Sequence, residues 1–477
     1  MTTDIVLKSF FAIIYSLILA WFTFSKYDLD LGTESSNTTK QKYLPIFNSH
    51  ILLLFLCVVI IIASYQWGLL ATMQMVLPMC FGIFLHISIY YMILIPLLPF
   101  FRRHISARTC VLLWLIPNFL YMTQQDVMAV QKPLLVIPLP GKLVWILFYV
   151  WLTGFLAVLI WKIFSHLIFR AAILKDAYDV GDTEILKVWN QEIEQANIKN
   201  PNFELVVSPN IAAPLSIGLF QRTTKVVLPK RSYAPEELSL ILRHEIVHIC
   251  RRDAVSKFFL IFCTAMCWFN PLMWIAMRKI AEDIELSCDE TVLLESDQDI
   301  RRQYAHLLLT TASDERGFTT CLSSSAESMR YRLKHVIEAP KRHSGALLVG
   351  LISFILFMSC GSIALTYGSS TGTEVIYNSQ DTSKYPAVYT SLGKCSDSEK
   401  LHNFMKDLTL QPITGTYSIS GYEKQITLIY NTPNGNTEVV LTDNILRIAP
   451  LDRRKQATRY YYLPDGVDWK YLNEIIS

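Results

Sequence analysis

Arg243-His244-Glu245-Ile246-Val247-His248-Ile249-Cys250-Arg251-Arg252-Asp253 is the stretch on which the reading of this chain turns. It follows a polar lead-in, YAPEELSL at 233–240, and precedes a long apolar run. On a helix His244 and His248 stand one turn apart on one face, as two imidazoles sharing one Zn²⁺ must. Glu245 then projects beside the metal, where a carboxylate takes a proton from a water attacking a carbonyl. The competing account is chance, a short pattern on an ordinary surface helix.

Catalytic zinc takes three protein ligands and keeps a position for water. A third ligand is therefore sought downstream, in RKIAEDIELSCDETVLLES at 278–296, a polar helix crowded with carboxylates. Glu285 and Asp289 are four apart and share a face. Glu285 is the choice for the metal, with Asp289 behind it to orient a histidine. Glu282 is its rival on the same helix, and a solvated acidic face is the bland alternative.

The 477 residues are 52% hydrophobic and only 17% charged, against about 25% charged in soluble domains. That composition points to a membrane. The net charge of +3 and the lack of a basic block give no sign of direct nucleic-acid binding. Ten cysteines without a CxxC pair form no disulfide framework.

Stretches near the 20 or so apolar residues that span a bilayer occur at roughly 5–24, 48–67, 76–100, 107–124, 143–168 and 345–366. The first is expected to be a retained span, with no cleavage pattern after it. Three basic clusters fall on one side if all six segments cross: Arg102, Arg103 and Arg108; Lys162, Arg170 and Lys175; Lys341 and Arg342. Positive charge marks the cytoplasmic side. The expected layout is a transmembrane module at 1–169, a cytoplasmic domain at 170–343, a last span at 344–366 and an outer domain at 367–477.

Within the cytoplasmic part, 182–198 reads as helix and 203–230 as two or three short strands joined by turns. One of those strands is a candidate open sheet edge for an extended peptide, with ordinary core strand an equal alternative. The apolar run 257–279 poses a topological problem. A single crossing would put Glu285 on the opposite side from the histidines, and the run is too short for two crossings. A hairpin broken at Asn270-Pro271 is expected, packed in the cytosolic domain or against the membrane surface.

HEIVHICRRD, WFNPLMW and ELSCDE, in this order and spacing, resemble the BlaR/MecR family of membrane metallopeptidases, with PLSIGLFQRTTKVVLPK similar to the family's preceding segment. The resemblance covers roughly 170–340. It implies a gluzincin-type endopeptidase fold, Zn²⁺ on His244, His248 and Glu285, and Glu245 as general base. In the best-known members an outer domain binds a β-lactam, the protease clips itself, and a transcriptional repressor is lost. Arg301-Arg302 is the candidate self-cleavage site by analogy. The partners implied are the lipid bilayer and a cytoplasmic protein substrate, with a repressor as the candidate and homodimerisation left open.

The C-terminal part departs from that pattern. Ser391-Leu392-Gly393-Lys394 is formally S-x-x-K, but no KTG-like triplet follows, so β-lactam sensing is not carried over. The tail reads instead as a small α+β domain. Helices are expected at 397–408 and 468–476, and strands at 416–422, 424–430, 437–442 and 444–448, with the NTPNGN break at 431–436 as a hairpin turn. Cys360 is expected to be a small buried apolar residue.

The fold class expected is thus a multi-pass α-helical membrane protein with a cytoplasmic α+β gluzincin-type peptidase domain and a small extracellular α+β domain. A donor for the oxyanion is missing; Tyr304 and His306 are candidates for which packing is the better account. Two other functions compete: a quality-control protease of membrane proteins, and a receptor whose zinc is only structural. The latter would need a fourth ligand, and Cys250 lies off the shared helical face.

Overall fold

The computed structural model describes residues 3–30, 69–122, 132–314 except 295, 326–338, 342–377, 388–390, 393–394 and 398–476 except 416, 420, 421, 433, 434 and 452–457, with a few positions between 54 and 65. The expected span at 48–67 lies almost wholly outside them.

Helices α1 (Thr3–Asp30), α2 (Leu69–His104) and, further on, α4 (Gly141–Leu174) contain apolar windows of 20, 23 and 29 residues. At 1.5 Å per residue each is long enough to cross a bilayer core of about 30 Å. Between them, α3 (Ala107–Leu115) passes into a 3₁₀ turn, Ile116–Met122. Pro117 has no N–H to continue the α pattern. Val111, Leu113, Trp114 and Ile116 are fully buried, so α3 is enclosed by protein. Strand β1 (Leu135–Leu139) precedes α4.

The first layer after the apolar helices is a four-stranded sheet of β2 (Tyr178–Asp179), β3 (Glu204–Ser208), β4 (Leu215–Ile217) and β5 (Lys225–Pro229), in the order β2-β3-β5-β4. Strands β3 and β5 run parallel, joining Leu205 to Val226 and Val207 to Leu228. Helix α5 (Thr183–Gln195), capped by Asp182, covers the sheet. Helix α6 (Pro235–Arg251) starts with proline and two glutamates in its first turn, which suit a helix N-terminus. It ends at Arg252, whose φ of 56° is left-handed.

From that turn α7 (Asp253–Met266) and α8 (Pro271–Val292) form the hairpin expected at Asn270-Pro271. Its location corrects the expectation. The hairpin neither packs within the sheet domain nor lies along a surface; it is inserted among the apolar helices. Phe259, Leu260 and Cys263 of α7 and Met273, Ala276 and Ile280 of α8 share one core with Ile83, Ile87 and Tyr91 of α2 and Trp114 of α3. At the tip, Asn270 Nδ2 donates to Ser88 Oγ at 2.8 Å and Trp268 Nε1 to the Trp151 carbonyl at 3.1 Å. A Cβ on Gly154 would stand 2.1 Å from the Trp268 ring, so the tip needs glycine there. Ser88 is roughly 24 Å along α2 from His104, which measures how deep the tip reaches. Composition alone could not distinguish helices buried in protein from helices facing lipid, hence the miss.

Helix α8 also enters a second core. Its Cys288 and Val292 pack with Leu240, Ile241 and Val247 of α6, Tyr304 of α9 (Gln298–Asp314) and Val336 of α10 (Ala326–Glu338). Basic residues clamp the same helix: Arg102 Nε lies 2.7 Å from Asp283 Oδ1, and Arg342 pairs with Glu290.

The last apolar helix, α11 (Ala346–Ser359), has 14 residues and stops short of the expected 345–366. Gly361 turns the chain at φ 81°, and the β-favouring run after it becomes β6 (Ile363–Tyr367), parallel to β1. Cys360 is half-buried at this stop, its carbonyl accepting from Lys8 Nζ at 2.7 Å. The tail is an eight-stranded sheet, β7 (Ser370–Thr371), β10 (Thr409–Pro412), β14 (Arg459–Tyr462), β13 (Ile445–Pro450), β12 (Gly435–Thr442), β11 (Gln425–Thr432), β8 (Val388–Thr390) and β9 (Gly393–Lys394) in spatial order, with helices Ser398–Asp407 and Trp469–Ile476. The β11–β12 hairpin is as expected. Of the expected strand 416–422, the described residues 417–419 and 422 lie in no strand, and Tyr417 donates its hydroxyl to the Thr414 carbonyl at 2.6 Å. Ser391 lies outside the described residues.

Candidate metal centre

Three side-chain atoms converge where α6 meets α8. His244 Nε2 and His248 Nε2 face each other at 3.0 Å, and each lies 3.6 Å from Glu285 Oε2. Ligands held at about 2.0–2.1 Å around one tetrahedral zinc stand about 3.3 Å apart, so this triangle fits such an ion. The spacing follows from the helices: one turn separates the histidines, and α8 crosses α6 with Glu285 opposite them.

Each imidazole is fixed through its other nitrogen. His248 Nδ1 donates to Asp253 Oδ2 at 2.7 Å. His244 Nδ1 donates to the Tyr304 hydroxyl at 2.8 Å, and that hydroxyl donates to Asp289 Oδ1 at 2.7 Å. Both Nε2 lone pairs therefore turn inward, the arrangement that tunes metal-binding histidines. Burial pulls the His244 pKa down, but the Cys288 sulfur and the Glu285 carboxylate outweigh it and lift it to about 10. His248 is likewise lifted well above its usual value, against burial, by Cys288, Glu285 and Asp253. Glu285 is held well below the usual carboxylate range, again against burial, by His248 and Lys257. The field at the two Nε2 atoms thus favours positive charge, which a divalent cation supplies.

Cys288 offers an alternative third donor, grouping with the two histidines within 4.8 Å. Its sulfur lies 3.5 Å from His244 Nδ1, the nitrogen Tyr304 already holds, whereas Glu285 faces both Nε2 atoms. Geometry favours Glu285. Glu245 is 7% exposed and makes no hydrogen bond or ion pair among the described residues, so its carboxylate is uncommitted.

A family model described as BlaR1 peptidase M56 matches residues 118–336, the segment that holds this whole constellation. The regulatory protein BlaR1 of Bacillus licheniformis is 28% identical over 191 residues, 40% of this chain and 31% of the relative. The methicillin resistance mecR1 protein of Staphylococcus aureus is 24% identical over 159 residues, 32% of this chain and 26% of the relative. Residues 118–336 are thus a peptidase segment of the BlaR1 M56 type. The chain's match spans less than a third of the length of either relative.

Within this M56-type segment the remaining expected residues separate clearly. Glu282 turns away from the centre to Lys279 at 3.0 Å and Arg102 at 3.5 Å. Tyr304 is committed at both ends of its hydroxyl, and His306 is exposed on α9, so neither faces the site as an oxyanion donor. Arg301 and Arg302 lie in the first turns of α9. Arg301 donates to the carbonyls of Leu293, Ser296 and Val336 at 2.5, 3.2 and 3.3 Å, while Arg302 is exposed.

Sequence reasoning missed Asp253, Arg332 and Cys288. Asp253 stands in the opening motif itself, five residues after His248, off the ligand face of a continuous helix. Only the left-handed turn at Arg252 brings it back. Asp253→Asn keeps the shape and removes the charge behind His248. Zinc affinity should fall about 10–100-fold, measured in detergent by competition with a chromophoric chelator; unchanged affinity would make Asp253 only a helix-start residue.

Proposed function

We propose that this protein is a membrane-bound zinc endopeptidase that works as a signal transducer, cutting itself or a cytoplasmic regulator. The observation that carries the proposal is the 3.0–3.6 Å triangle of His244, His248 and Glu285 beside the uncommitted Glu245. Zn²⁺ held there would polarise the scissile carbonyl and activate water. Glu245 is then the base that takes the proton and delivers it to the leaving amine. Asp253 and the Tyr304–Asp289 pair keep the imidazoles turned inward through the cycle.

Strand β4 is at an edge of its sheet and packs beside α6, so an extended substrate segment can add to it by main-chain hydrogen bonds. The positive-inside rule, applied to the basic clusters, favours a cytoplasmic site and an outer sheet-rich tail, and the tail is the candidate sensor. The relatives are named a regulatory protein and a methicillin resistance protein, which suits a transcriptional repressor as the regulator cut. Self-cleavage at Arg301-Arg302 requires the first turn of α9 to open, because those residues are helical and hydrolysis needs an extended chain.

The test uses the full chain purified in detergent, with metal analysis and intact mass before and after a zinc chelator. One zinc per chain, with fragments that stop forming once it is removed, is the expected result. A folded wild-type protein without zinc would overturn the proposal.

A further inference from the structure

Arg332, on α10, is 8% exposed and carries both carboxylates of the ligand-bearing face of α8. Its Nε donates to Asp289 Oδ2 at 2.7 Å and its Nη2 to Asp289 Oδ1 at 2.8 Å. Its Nη1 stands 3.7 Å from Glu285 Oε2, the oxygen that faces both histidines. Asp289 accepts the Tyr304 hydroxyl, and Tyr304 accepts His244 Nδ1–H. One planar guanidinium therefore sits behind the third corner of the triangle and, through three successive hydrogen bonds, behind the first.

Two carboxylates one helical turn apart repel each other when buried together. Lys257 Nζ meets the other oxygen of Glu285 at 3.3 Å, but among the described arginines and lysines only Arg332 stands between the two carboxylates; without it they would separate, moving Glu285 Oε2 off the histidines. A forked guanidinium fixes the direction of a carboxylate as well as its charge, which an ammonium does not. We propose that Arg332 is a positioning residue of the metal centre, holding Glu285 and Asp289 in the rotamers that face His244 and His248. The inference rests on the metal-centre reading above.

The test is Co²⁺ binding to the full chain in detergent, read by visible absorption, with thermal unfolding of the metal-free protein alongside. Arg332→Gln should weaken Co²⁺ binding about 10–100-fold and alter the absorption bands. Arg332→Lys restores charge without the fork, so its bands should also depart from wild type. Arg342→Gln removes a different arginine from α8, the partner of Glu290. It should lower the unfolding temperature and leave the bands and affinity as in wild type.

Wild-type bands and affinity in Arg332→Gln would overturn the inference while leaving the metal centre standing. An equal loss in Arg342→Gln would also overturn it, since any arginine paired with α8 would then serve. If Arg332→Gln does not fold, Arg332→Lys decides, and wild-type bands and affinity there are the refuting result. A wild-type chain that binds neither Co²⁺ nor Zn²⁺ would sink the metal centre itself, and this inference with it.

Discussion

Glu245→Gln is expected to abolish proteolysis, by about 10²–10⁴-fold, in a protein that still folds and still holds one zinc. The structural cost should be small because Glu245 makes no hydrogen bond or ion pair among the described residues, and glutamine has the same shape. The metal should stay because the triangle is built from His244, His248 and Glu285, none of which leans on Glu245. What disappears is the group proposed to accept a proton from water and return it to the amine. The measurement is a time course of intact mass for wild type and variant, with zinc analysis of both. Equal fragmentation rates would remove Glu245 from the mechanism. Loss of zinc in the variant would make it a structural residue instead.

The second large effect separates the rival ligands. Glu285→Gln should weaken zinc binding by more than about 100-fold, beyond the range for outer partners of a metal site. Glu282→Gln should leave affinity within about threefold, since it removes only a partly exposed ion pair of modest worth. Both glutamates lie on α8 three residues apart, yet Glu285 Oε2 is 3.6 Å from each histidine and Glu282 is bound to Lys279 and Arg102. Competition titrations on the two variants decide. A collapse in Glu282→Gln with retention in Glu285→Gln would reassign the ligand, and retention in both would direct attention to Cys288.

The parts of this site that were legible are those tied to helical periodicity. His244 and His248 share a face by spacing alone, and so do Glu285 and Asp289. The start of α6 was legible because proline and acidic residues at a helix N-terminus have a local cause. Asp253 was not, because one left-handed residue decides its direction and nothing marks Arg252 as that residue. Arg332 was hidden for a different reason: it comes from another helix, and a basic residue on polar text looks the same whether it meets solvent or a buried carboxylate. In the membrane part the apolar stretches were readable as helices, but not which would be enclosed. Trp114 is fully buried and donates to Asp283 at 2.8 Å, a pairing no hydropathy average contains. The early stop of α11 came from four small residues, Ser359 to Ser362, inside an otherwise apolar run.

Helix α8 runs 22 residues without a break, its first half anchored among the apolar helices and its second half in the sheet domain. Mechanically it is a rigid shaft passing through two bearings, with Glu285 roughly 21 Å from its N-terminal end at Pro271. A tilt of about 5° about that end would displace the carboxylate by roughly 1.8 Å, whereas metal–ligand distances tolerate about 0.2 Å. The carboxylate proposed as third ligand therefore stands at the amplified end of any rocking in the apolar core. On the proposed metal-centre reading, small motions there would be enough to make or break the bond to Glu285.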